Sequence, residues 1–134
     1  EAYGKYIWLK SGASLVIEHT EAMTVIDVNT GSVLKKKKQE DTLFYQINRE
    51  AAKEIARQLR LRNISGIIMI DFINMKDTAQ KEKLLSLLDS ECKKDRVHCN
   101  VIDMTALNLV EMTRSKVRKP LHEQIRSCMK NNRS

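Results

Sequence analysis

Four large apolar residues follow a glycine in Gly66-Ile67-Ile68-Met69-Ile70-Asp71-Phe72, and the run ends on a carboxylate. The pattern predicts a strand buried on both faces, and the helical patterns flanking it favour a parallel-sheet core. Met23-Thr24-Val25-Ile26-Asp27-Val28-Asn29 has the same shape, rising through β-branched residues to an aspartate. Upstream, residues 5–10 carry Tyr6, Ile7 and Trp8, Ser11-Gly12-Ala13 supplies a turn, and residues 14–20 resume as a strand. That is a hairpin pattern. With a second tight turn at Glu21-Ala22, residues 23–29 become the third strand of an antiparallel meander.

Over residues 42–62, Phe44, Ile47, Ala51, Ile55 and Leu59 recur at intervals of three and four, which marks one face of a helix. Asp41 or Asn48 caps it, and Asn63-Ile64-Ser65-Gly66 ends it. A second helix starts from Asp77 or Thr78 and buries Leu84, Leu85, Leu87 and Leu88. Residues 97–103 read as a further strand. Residues 107–112 are either a last strand or a short helix, which periodicity does not separate. The expected fold class is therefore α/β (α+β), a mixed sheet with an N-terminal antiparallel meander followed by β-α-β-α-β units.

At 134 residues the chain suits one core. The expected division is a domain over residues 1–113 and a basic tail over 114–134, where Arg114, Lys116, Arg118, Lys119, Arg126, Lys130 and Arg133 face only Glu123. No apolar run approaches the roughly 20 residues of a membrane span, which excludes a transmembrane reading. The sequence opens Glu1-Ala2-Tyr3 without an initiator methionine or a signal peptide, and reads as part of a longer protein. Cys92, Cys99 and Cys128 match no zinc motif or disulfide framework and read as reduced cytosolic thiols, consistent with a cytoplasmic protein. His19, His98 and His122 are scattered and read as structural or exposed. The net charge of +7 points to a polyanionic partner, or only to solubility.

Ligands of open α/β sheets sit outside the carboxyl ends of the strands, so Asp27 and Asp71 lie where chemistry is expected. Two adjacent carboxylates repel unless they share a proton or a cation, and magnesium suits them because it needs few protein ligands and accepts substrate phosphate. Asn29, two residues beyond Asp27 on the same face, is placed to orient a carboxylate or donate to a phosphate. The competing reading is that both aspartates are helix caps or turn formers. Lys35, Lys36, Lys37 and Lys38 fall in a polar loop leaving the Asp27 strand end, and read equally as a solvated segment or as phosphate-attracting cations. Arg114 and these lysines are the candidate nucleic-acid contacts.

The run Ile17-Glu18-His19-Thr20-Glu21-Ala22-Met23-Thr24-Val25-Ile26-Asp27-Val28-Asn29 resembles the signature of the ribonuclease E/G family. Residues 48–63, the strand ending Ile70-Asp71-Phe72-Ile73-Asn74-Met75, and Leu109-Val110-Glu111-Met112-Thr113-Arg114 resemble further blocks of that family in the same order. The resemblance implies a hydrolytic endoribonuclease cutting single-stranded, often A/U-rich RNA to 5′-phosphate and 3′-hydroxyl ends. It implies a deoxyribonuclease-I-like subdomain with Mg2+ held by Asp27 and Asp71 and supported by Asn29. A non-catalytic RNA-binding or scaffold module of the same fold is the alternative. Homo-oligomerisation of a longer parent stays open, but the family's zinc link between subunits is not supported, because Cys128 is followed by Met129-Lys130-Asn131. Aromatic residues are only 4% of the chain, so the platform on which bases stack is expected in an S1 RNA-binding domain outside it.

Overall fold

The computed structural model describes residues 3–31 and 40–116. Six strands form one mixed sheet: β1 (Tyr3–Trp8), β2 (Ser14–His19), β3 (Thr24–Asn29), β4 (Gly66–Asp71), β5 (Cys99–Met104) and β6 (Leu109–Arg114). Helix α1 (Glu40–Leu61) connects β3 to β4, and α2 (Thr78–Cys92) connects β4 to β5. The spatial order is β1-β2-β3-β4-β6-β5. The meander β1-β2-β3 is antiparallel and β3 pairs β4 in parallel across α1. β6 pairs antiparallel with both β4 and β5, and so sits between them. Of residues 107–112, Leu109 onward resolves as strand β6: Thr105 and Asn108 close the turn before it, with Asn108 at φ 67°, and set up the β5–β6 hairpin.

Cross-strand register explains the core. Ile17, Ile26, Ile70 and Val110 stand opposite one another on β2, β3, β4 and β6, and all four are fully buried. Paired residues share a face, so the row forms one apolar wall. Against it α1 lays Ile47, Ala51, Ile55 and Leu59, the residues its periodicity selects, and α2 adds Leu84 and Leu88.

The other face departs from the expectation that the central strands are buried on both sides. β3 alternates buried and half-buried residues, and in β4 only Ile68 and Ile70 are buried while Ile67 is 48% exposed. Both helices contribute to the same core and pack against each other, so they cover one side of the sheet. Val25, Met69 and Ile67 belong to the uncovered side. The apolar run in β4 is continuous because Met69 stands beside Val25 across the parallel pair, not because a second layer covers it.

Helix ends follow local chemistry with one exception. Asp77 caps α2, accepting from the amides of Ala79 and Gln80 at 2.8 and 3.4 Å. Asn63 takes φ 51° just after α1, the left-handed conformation that ends helices. Neither Asp41 nor Asn48 caps α1, since the helix begins at Glu40 and both lie inside it. Gly31, at φ 59°, sits so close to the hairpin turn that a Cβ there would be 2.4 Å from the carbonyl oxygen of Gly12. Only glycine permits that approach, and it packs the end of β3 against the β1–β2 turn.

Candidate active site

Asp27 and Asp71 are direct partners in the parallel β3–β4 register. Adjacent strands are only about 4.8 Å apart, so the two carboxylates project side by side from the uncovered face. With Tyr6, Val16, Glu18, Val25 and Asn29 they line a shallow cavity of about 350 Å³. Asn29 is thus brought to the aspartates, as its two-residue spacing predicts. Burial, then the charges of Asp71 and Glu18, hold the Asp27 carboxyl above the usual carboxylate range, against an opposing hydrogen bond from the Val28 backbone. A carboxylate pushed up by another carboxylate is a place where a cation is electrostatically favoured.

The donor set decides which cation fits. Among the described residues, the polar groups at the cavity that could ligate, from Asp27, Asp71, Asn29 or Glu18, offer oxygen, with no thiol or imidazole beside them. Among the described residues no group of three or more His, Cys, Asp and Glu side chains converges to hold a metal ion. Two carboxylates suit magnesium, which retains waters and takes its remaining ligands from substrate phosphate, better than a metal needing a full protein cage.

The backbone behind Asp71 is held from below. The side chain of Asn48, fully buried on α1, accepts from the Ile73 amide at 3.0 Å and donates to the Ile73 carbonyl at 2.8 Å. Phe72 and Met75 are buried on either side of this clamp. Asn108 in the β5–β6 turn donates to the side-chain oxygen of Asn74 at 2.6 Å. The segment leaving the strand end is tied at Ile73 and Asn74, which fixes where Asp71 points.

Arg114 corrects the sequence reading. It is the last residue of β6 and is not part of a tail, and it is 4% exposed. Its guanidinium donates to both carboxylate oxygens of Asp95, at 2.8 and 3.4 Å, and to the Asn63 side chain and the Ile64 carbonyl. Those donors are engaged inside the protein and not at its surface, and β6 runs through the boundary expected after residue 113. Lys35, Lys36, Lys37 and Lys38 lie outside the described residues, as do residues 117–134 of the expected tail. His19 bonds Thr24 at 3.1 Å across the β2–β3 end, a structural role.

Sequence reading also missed a pair of rings. Tyr6 and Trp8 are 65% and 68% exposed on β1, with centroids 6.5 Å apart. The signal was their two-residue spacing, which puts both on the face opposite Ile7. Low aromatic content had concealed it.

A profile of the Ribonuclease E/G family matches residues 1–117 of the chain. The chain is 46% identical over 120 residues to a Ribonuclease G of Escherichia coli strain K12, covering 90% of this chain and 24% of that protein. It is 48% identical over 120 residues to a Ribonuclease G of Haemophilus influenzae, with 90% and 24% covered. To a Ribonuclease E of Nostoc sp. it is 41% identical over 123 residues, which cover 92% of this chain and 18% of that one. The chain thus spans about a quarter or less of the length of these relatives.

Proposed function

The chain belongs to the Ribonuclease E/G family, and from that premise we propose that it is the catalytic subdomain of a magnesium-dependent endoribonuclease that hydrolyses single-stranded RNA to 5′-phosphate and 3′-hydroxyl ends. The observation that carries the proposal is the in-register pair Asp27 and Asp71 on one uncovered sheet face, in a cavity lined by oxygen donors. Asp27 and Asp71 hold the ion, and Asn29 orients a carboxylate or donates to the phosphate. A magnesium ion there supplies a Lewis acid for a phosphoryl oxygen and an activated water. The protein contributes position: the clamp of Asn48 on Ile73 fixes the strand end, and the core beneath β3 and β4 holds the two carboxylates at one spacing. The proposed location is the cytoplasm and the proposed process RNA processing and decay. Among the described residues no helix is long and apolar enough to cross a membrane.

Asp27→Asn and Asp71→Asn test the reading in the full-length protein. Each keeps shape and removes a charge that holds the cation, so cleavage of a 5′-monophosphorylated single strand should fall at least about a thousandfold, a share of barrier lowering well within what such a centre supplies. Folding should survive, because Asp27→Asn removes a charge that burial, and then the neighbouring Asp71 and Glu18, disfavour. Magnesium-dependent turnover retained by both variants would overturn the assignment. An RNA-binding module that does not cut would instead hold the strand equally with both aspartates intact or replaced, and show no turnover in either case.

A further inference from the structure

We infer that Tyr6 and Trp8 form a base-stacking subsite for the RNA strand whose phosphate lies at the Asp27–Asp71 pair, an inference that rests on the nuclease reading above. Register places the first ring. Tyr6 stands opposite Val16, Val16 opposite Asp27, and Asp27 opposite Asp71, so one straight row crosses four strands on the uncovered face. At about 4.8 Å per strand, Tyr6 is roughly 10 Å from Asp27 along that row, the distance of a neighbouring nucleotide and not of the reacting phosphate. Tyr6 also lines the carboxylate cavity itself. Trp8 continues the line: it pairs Ser14, which pairs Asn29, another polar residue of the cavity.

Chemistry selects the occupant. Among the described residues, the cavity wall between Tyr6 and the aspartates carries Glu18 and no lysine or arginine, so a phosphate gains nothing from them there. The π-face of a base is neutral and fits. Two rings spaced i, i+2 on an open strand, 6.5 Å apart and tilted by 33°, are not stacked face to face, and their exposure leaves ring surface available to bases. Aromatic side chains on an uncovered sheet are the usual platform for successive bases of a single strand. Val16 and Val25 floor the space between with apolar surface.

Trp8 is the only tryptophan in the chain, so it reports on its own occupancy. The chain is titrated in EDTA, so that nothing is cut, with a single-stranded oligoadenylate and with an abasic strand bearing the same number of phosphates. Emission should be quenched by the first and not by the second. Affinity, read from the anisotropy of a labelled strand, should fall about tenfold for the adenylate in Trp8→Ala or Tyr6→Ala. It should stay unchanged for the abasic strand, and Trp8→Phe and Tyr6→Phe should keep most of it. Unchanged Trp8 emission at saturation, or equal losses on both strands, overturns the inference. So does Trp8 emission that varies with protein concentration without RNA, which would assign the rings to a contact between copies of the chain. The readout requires no cleavage: an inactive chain leaves it intact, and failure here leaves the carboxylate reading standing.

Discussion

A buried charge shows its meaning only through its partners. Arg114 and Asp95 are 3% and 5% exposed at their side chains and meet at 2.8 Å. Arg114→Ala leaves Asp95 charged and enclosed, which should cost about 3–5 kcal/mol in urea unfolding. Arg114→Lys should recover little of it, since an ammonium cannot reproduce the forked contacts to Asp95, Asn63 and Ile64. Burial alone raises the Asp95 carboxyl, but the hydrogen bonds and charge of Arg114, with the Val97 amide, more than reverse it and hold it below the usual range. A depressed folded pKa gives stability that is present above the unfolded value of about 3.9 and is lost as pH falls through the folded one. The urea midpoint should therefore drop less between pH 6 and pH 3 in Asp95→Asn than in the parent protein, and equal drops would refute the role. None of this was legible locally. Arg114 reads as one cation among many because Asn63 lies 51 residues away and Asp95 lies 19. Asp27 and Asp71 were legible, because an apolar run ending on a carboxylate places that carboxylate at a strand end without reference to any distant residue.

At the scale of elements, the spacing of three and four in α1 specified that helix correctly, since the pattern reports which side of the element meets the core. What the sequence misjudged was how many layers cover the central strands. An apolar run in β4 is compatible with helices on both faces, and only the packing of α1 and α2 on one side shows that Ile67 and Met69 face outward. The uncovered face matters because it is where the aspartates and the two rings emerge. Asn48 was similarly opaque: an asparagine early in a helical pattern resembles a cap, whereas here it performs the hydrogen bonding of a strand neighbour for Ile73. Asn48→Ala would strand a buried amide and a buried carbonyl, for a loss of about 2–4 kcal/mol. It should also lower cleavage by displacing Asp71. Normal stability with reduced activity, or the reverse, would separate the two consequences and break the proposed link between clamp and site.

For the whole molecule the two ways of holding RNA are distinguishable by salt. The net charge of +7 attracts phosphate without regard to sequence, while ring stacking removes no counterions. Lys35, Lys36, Lys37 and Lys38 follow β3 in the chain within ten residues of Asn29, the most concentrated positive charge near the carboxylates in sequence. Replacing all four with serine should weaken binding of a single strand and flatten its dependence on salt. For single strands the log–log slope should shrink by about 0.7 for each lysine that had neutralised a phosphate. Tyr6→Ala and Trp8→Ala should weaken binding at every salt concentration and leave the slope as it was, because a lost stacking contact is not a lost ion pair. The combined variant should then show both losses nearly additively, as independent contacts do. A lysine variant with the parent's slope, or ring variants that flatten it, would mean that charge and stacking do not divide between these two parts of the chain.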